Sequence, residues 1–167
     1  AYRYWCTRAE VAANIDAPQG DAQPVYPGTC KGRDDPGDGR PYSWRLDVAE
    51  AVRRSGYLTW TDADAGEVQA TPERLGDVVI ARKDAPAAYH LAVVVDDDWQ
   101  GVTDVVRGRD LFDSTHIHRL IQHILDIRPP AHHHHKLILD AAGTRLAKRK
   151  HAPTLAAMRA DGVDPEA

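Results

Sequence analysis

The chain has 167 residues, 43% of them hydrophobic and 28% charged, and its 21 Lys and Arg against 25 Asp and Glu leave a net charge of -4. That mixture suits one folded domain and excludes a disordered chain, while the acidic balance excludes a generally basic nucleic-acid coat and leaves room only for a local basic patch. The longest strongly apolar run, residues 91–95, is far too short to cross a bilayer.

No basic segment followed by an apolar stretch opens the sequence, and two cysteines, Cys6 and Cys30, are too few for a multi-bridge scaffold, so a cytoplasmic setting is expected. In chain order, Thr7-Arg-Ala-Glu10 is a capping box, and it predicts a short helix to about Asn14. Residues 16–42 are rich in Pro, Gly and Asp, most densely in Asp34-Asp-Pro-Gly-Asp-Gly39, and are expected to be loops. Residues 43–49 alternate like a half-buried strand, and residues 78–82 predict another. The β-branched run Tyr89-His-Leu-Ala-Val-Val-Val-Asp-Asp97 predicts a strand covered on both faces.

After a turn at Gly101, residues 102–106 continue as strand. Asp113-Ser-Thr115 is expected to cap a helix whose apolar positions Ile117, Leu120, Ile121, Ile124 and Leu125 recur with the helical period. Pro129 and Pro130 end it, residues 137–139 predict a further strand, and strand–helix–strand makes a βαβ unit. Thr154 then caps a last short helix, with Gly162 beyond its end.

Several residues have chemistry to offer. Cys6 and Cys30, with Tyr4 and Tyr26 near them in sequence, are either zinc ligands or two buried thiols; without a Cys-x-x-Cys pair the second is the stronger reading. The tract from His132 to His135 precedes a predicted strand, so its imidazoles should alternate between the two faces and not converge on a metal. Arg145-Leu-Ala-Lys-Arg-Lys150 is either a phosphate-binding loop or a solvated basic run. Arg107 stands before Gly108 where a strand gives way to a loop, the place in open α/β sheets where ligands bind, and with Tyr89 it has the chemistry to recognise a carboxylate.

Taken together, Tyr89-His-Leu-Ala-Val-Val-Val-Asp-Asp97, Gln100-Gly-Val-Thr-Asp-Val-Val-Arg-Gly-Arg-Asp-Leu111 and Arg145-Leu-Ala-Lys-Arg149 resemble the second half of a class I glutamyl-tRNA synthetase catalytic domain. The form is that of the shortened paralogues, the glutamyl-Q tRNA(Asp) synthetases. The resemblance runs from about Tyr4 to the end of the sequence. It implies an α/β fold, the C-terminal half of a Rossmann-like domain with an inserted zinc-knuckle-like loop region. Residues 1–42 would be the insertion, 43–140 the second Rossmann half, and 141–167 a KMSKS-type loop with the start of a helical region.

The same resemblance implies a ligase that activates L-glutamate with ATP and transfers it to the queuosine base in the anticodon of tRNA(Asp), as a monomer away from membranes. Tyr89 and Arg107 would bind glutamate, with Arg107 on a carboxylate. Lys148 would be the catalytic, ATP-contacting lysine of the loop Arg145, Leu146, Ala147, Lys148 and Arg149, stabilising charge on the triphosphate; Ala147 stands where serine is usual. Of the family's zinc ligands, Cys6, Tyr26 and Cys30 match, but Tyr4 replaces the first cysteine, and a phenol is a poorer zinc ligand than a thiolate. Zinc is therefore expected to be absent, with the knuckle shape kept by packing.

Nothing in the sequence matches the His-Ile-Gly-His-type block that opens the family's Rossmann half, so an internal stretch of the enzyme, inactive alone, is expected. Two rival readings remain. Ordinary glutamyl-tRNA synthetases carry Gly-Glu-Asp-His where this chain has Gly108-Arg-Asp-Leu111, which favours the shortened form. A non-catalytic tRNA-binding remnant would show salt-sensitive binding without adenylate formation.

Overall fold

The computed structural model describes residues 1–12, 25–139 and 154–164. It divides into two compact units, Ala1–His134 and His135–Ala167. Among the described residues no helix is long and apolar enough to cross a membrane.

The first unit opens with strand β1 (Tyr2–Tyr4) and helix α1 (Arg8–Ala12). The capping box at its start is reciprocal: Glu10 N–H donates to Thr7 Oγ1 at 3.2 Å and Thr7 N–H donates to Glu10 Oε2 at 2.6 Å. Strand β2 (Ser43–Arg45) follows the loop region and pairs antiparallel with β1. The alternation expected over 43–49 breaks there, because Asp47 accepts from Glu50 N–H and caps helix α2 (Val48–Ser55), which Gly56 closes at a φ of 68°.

A hairpin comes next: β3 (Thr59–Asp62) and β4 (Gly66–Gln69). Its turn is stitched by Asp62 Oδ1, which accepts from the backbone N–H of Asp64 (3.1 Å) and Ala65 (3.0 Å), and by Gly66 at a φ of 72°. Strand β5 (Val79–Ala81) completes a three-stranded antiparallel sheet in the order β1-β2-β5.

The run at 89–97 is not a strand. It forms helix α3 (Tyr89–Trp99), anchored at its start by Ala88 N–H on the carbonyl of Ile80. The valines' strand preference is overridden by burial. Leu91, Val93 and Val94 pack into the core, Val94 being 2% exposed, whereas Val95 faces outward at 42%. Positions 90, 94 and 97 follow the helical period on the covered side.

Strand β6 (Asp104–Gly108), helix α4 (Phe112–Ile124) and strand β7 (Ala131–His135) form the strand–helix–strand unit. Its last strand lies earlier than expected: the histidine tract itself forms it, and of residues 137–139 only Leu139 makes an isolated bridge. Strand β7 runs parallel to β3, with Asp62 opposite His132, and the second sheet has the order β4-β3-β7-β6. The expected cap on α4 is also corrected. Leu111 holds the cap position without a side-chain bond, and Thr115 lies inside the helix, turned toward the sheet. Ile117, Leu120 and Ile121 are buried with Val48, Ala51, Leu58, Val78 and Val94 in one core; Ile124 and Leu125 are exposed. In the second unit Thr154 caps helix α5 (Leu155–Ala160) through Ala157 N–H at 3.1 Å, with Gly162 at a φ of 73°.

Candidate active site

Four elements of the first unit converge on Arg107. Strand β6 turns it to the same side as Val105, two residues before the chain enters the short 3-10 turn Arg109–Leu111 that leads into α4. Helix α4 presents Thr115 and His118 one turn apart on the facing side, α3 brings Tyr89 and His90 at its first turn, and β7 brings His134.

The guanidinium is tied at three points. Its Nε–H donates to His134 Nε2 at 3.0 Å, Nη2 donates to Thr115 Oγ1 at 2.6 Å, and both Nη1 and Nη2 lie 3.4 Å from His118 Nδ1. Tyr89 also interacts with it, and the Tyr89 ring packs edge-on against His118 at 5.5 Å. The structure therefore brings together Tyr89 and Arg107, the pair singled out from the sequence. Tyr89 stays 49% exposed, and with His90 it lines a cleft of about 370 Å³ that Tyr26, Arg45 and Asp77 also border.

The hydrogen-bond partners of Arg107 on α4 and β7 are uncharged side chains, while the Asp97 and Asp110 carboxylates act on it through their charge. Burial drives His118 down to about 2, with the Arg107 charge next in effect, and burial holds His134 and His90 below their ordinary values. Burial likewise lowers Arg107 itself, opposed by Tyr89 and Asp97. A half-buried guanidinium hydrogen-bonded to two imidazoles and a hydroxyl has the charge and the fork geometry to hold an anion.

Behind His134 stands Asp62. Both residues are 1% exposed, and His134 Nδ1 lies 2.7 Å from Asp62 Oδ2, which also accepts from His134 N–H at 3.2 Å. Burial pushes the Asp62 carboxyl up, but hydrogen bonds from Ala65, His134 and Asp64 outweigh it and hold it at about 2. The His134 ring stacks on His132 at 5.7 Å and meets the edges of Trp60 and Phe112. The alternation expected of the histidine tract is observed, with His132 and His134 buried and His133 and His135 exposed. Among the described residues no three His, Cys, Asp or Glu side chains group as a metal site.

The knuckle residues gather elsewhere in this unit. Cys6 Sγ and Cys30 Sγ are 2.9 Å apart, and Tyr26 Oη accepts from Cys30 N–H at 2.8 Å. Burial, with Cys30 beside it, pushes the Cys6 thiol up to about 11. Tyr4 meets the edge of Tyr26 at 5.2 Å, and the Arg45 guanidinium stacks on both phenol rings, at 4.3 and 3.8 Å. This donor set does not fit a structural zinc: it has two sulfurs where the family pattern has three, and a cation already covers both phenols.

The basic loop with Arg145, Leu146, Ala147, Lys148 and Arg149 lies outside the described residues. Asp62, Thr115, His118 and His134 were not singled out as a site in the sequence. The available signals were the alternation of the histidine tract for His134 and, for Thr115 and His118, their spacing of three on the buried side of α4. Asp62 gave none, because the hairpin that carries it was not foreseen.

Residues 31–167 match the model of the catalytic domain of the class I tRNA synthetases (E and Q). The chain is 42% identical over 176 aligned residues to a glutamyl-Q tRNA(Asp) synthetase of Rhodobacter capsulatus, covering 98% of this chain and 63% of that one. It is 40% identical to one of Symbiobacterium thermophilum, covering 99% and 52%. It therefore spans about half to three fifths of these curated relatives. The crystal structure of a glutamate-tRNA synthetase from Elizabethkingia anophelis superposes with a TM-score of 0.61 at 25% identity, over 89% of this chain and 32% of that one. With a mixed α/β architecture holding a parallel pair, and with the family model matched over most of its length, this chain belongs to the class I tRNA synthetase (E and Q) catalytic-domain family.

Proposed function

We propose that the protein activates L-glutamate with ATP and transfers it to the queuosine base in the anticodon of tRNA(Asp). The observation that supports this best is Arg107: a half-buried guanidinium held by two imidazoles and a hydroxyl beside Tyr89, with the fork geometry that suits a substrate carboxylate. The relatives' names supply the acceptor, and Arg109 and Leu111 in place of the usual Glu and His favour the shortened enzymes over those that charge tRNA(Glu).

In this reading Tyr89 and Arg107 bind glutamate, and Lys148 steadies the negative charge that develops as pyrophosphate leaves. Residues 43–140 form the second half of the Rossmann-like domain, 141–167 the KMSKS-type loop with the start of the helical region, and 1–42 a knuckle-like insertion. The insertion keeps its shape through the Arg45–tyrosine stack and the Tyr26–Cys30 bond, without zinc. Elemental analysis of the purified protein should return well below one zinc per chain; a value near one overturns that part.

The activity is tested by supplying labelled glutamate and ATP to the full gene product with tRNA from cells that make queuosine and cells that do not. After nuclease digestion, label is expected on the anticodon fragment of queuosine-bearing tRNA(Asp) only. Label on the 3′-terminal adenosine identifies the tRNA-charging enzyme instead. Salt-sensitive tRNA binding with no label transferred identifies a binding remnant.

A further inference from the structure

We infer that Asp62 and His134 are positioning residues for Arg107: the Asp62 carboxylate fixes the tautomer of His134, and the imidazole then fixes the orientation of the guanidinium. The proposal rests on the reading of Arg107 as the carboxylate-binding group and goes beyond it, since neither residue touches the substrate.

The proton positions follow from the donors and acceptors alone. Asp62 is an acceptor only, so His134 Nδ1, 2.7 Å from Asp62 Oδ2, carries a proton. Arg107 Nε has only a proton to give, so His134 Nε2, 3.0 Å away, must offer a lone pair. Both conditions are met by one species, the neutral Nδ1–H imidazole. A doubly protonated ring would set N–H against N–H at Arg107. Thr115 completes the grip: it accepts from Nη2 at 2.6 Å while its own proton is directed to the Leu111 carbonyl at 3.5 Å. The order is carboxylate, imidazole, guanidinium, with the outer edge of the fork left toward Tyr89.

The surroundings leave this relay little freedom. Both side chains are fully buried, His134 is stacked on His132 and edged by Trp60 and Phe112, and Asp62 is pinned by the two backbone N–H groups of the hairpin turn. Because β3 and β7 are adjacent parallel strands, the Asp62–His134 bond is also a cross-strand link, which gives the sheet a rigid backing for Arg107.

Asp62→Asn reverses the tautomer, with loss of the bond from His134 N–H to the same oxygen. Its oxygen stays on the turn, since the Asp64 and Ala65 N–H groups both need an acceptor. The amide NH2 then faces His134 Nδ1 and forces the proton to Nε2, where it opposes Arg107 Nε–H. Two readouts are made on the full gene product. The first is 15N NMR of the histidine rings in the unsubstituted protein and in Asp62→Asn, with no ligand needed. The second is calorimetric titration of L-glutamate into the unsubstituted chain and into Asp62→Asn.

The expected result is an Nδ1–H tautomer for His134 and, in Asp62→Asn, a switch to Nε2–H with a glutamate Kd raised about ten- to a hundredfold. An Nε2–H tautomer in the unsubstituted chain overturns the proposal even if the variant does not fold. So does a switched tautomer with unchanged glutamate affinity. If the unsubstituted protein binds no glutamate, the assignment of the ligand fails, while an Nδ1–H tautomer that switches in Asp62→Asn still supports the relay to Arg107.

Discussion

Lowering the pH from 7 to 5 is expected to remove at least about 4 kcal/mol of folding stability, a large share of the roughly 5–15 kcal/mol typical of a domain. The cause is a set of histidines held neutral by burial. His132 is lowered to about 4 and His118 to about 2, and His90, His116 and His134 are lowered as well, burial being the largest cause in each. A depressed folded pKa means that the unfolded chain binds protons the folded chain refuses. The stability is therefore fully present above about pH 6.5, where the unfolded imidazole titrates, and is lost as the pH falls toward the folded value. At pH 5, His118 and His132 each contribute about 2 kcal/mol of that loss, and the other three add in the same direction. Asp62 does not share this window. Its folded value of about 2 lies below the ordinary carboxylate range, so its contribution persists to about pH 4 and fades only below it. Urea unfolding at half-unit intervals from pH 7 to 5 should give a slope of more than about 1.4 kcal/mol per pH unit below pH 6, the value for a single histidine. A flat profile means that these imidazoles are protonated within the fold.

This histidine cluster also marks where the sequence could be read and where it could not. The alternation of the tract was legible, because any strand places successive side chains on opposite faces, and His132 and His134 duly lie inside. That the inward pair meets Trp60, Phe112 and Asp62 was not legible: Trp60 and Asp62 sit on a hairpin whose turn, Ala63-Asp-Ala-Gly66, lacks the strong two-residue turn dipeptides. The valines of α3 misled for a different reason. Local β preference argued for a strand, and only contacts outside the segment, with α4 and β5, decide for a helix. Capping was legible at Thr7 and Thr154, but not at α4, where Leu111 and not Asp113-Ser-Thr115 holds the cap position, nor at Asp47. Tyr89 and Arg107 were identified by resemblance and by position at a strand end; their neighbours come from distant parts of the chain.

Arg107→Met is expected to weaken glutamate binding by about a hundredfold or more while leaving thermal stability unchanged or slightly raised. The two halves of this expectation have separate causes. A carboxylate held by a guanidinium fork draws on two charge-assisted hydrogen bonds, and methionine supplies neither. For the fold, the guanidinium is a desolvated charge tied to neutral partners, so removing it relieves the burial that lowers its pKa. The groups left behind can pair with one another: Thr115 Oγ1 lies 3.1 Å from His134 Nε2 and can turn its proton there, and His118 keeps its bond to His90 at 3.2 Å. Arg107→Lys separates charge from geometry. A lysine keeps the charge but presents a point and not a fork, so its loss should fall between that of methionine and none. In the full gene product, ATP affinity measured beside glutamate affinity completes the test. With Arg107 on glutamate, as proposed, Arg107→Met should spare ATP, and equal losses of both ligands would show that Arg107 supports the fold of the site and does not grip the substrate.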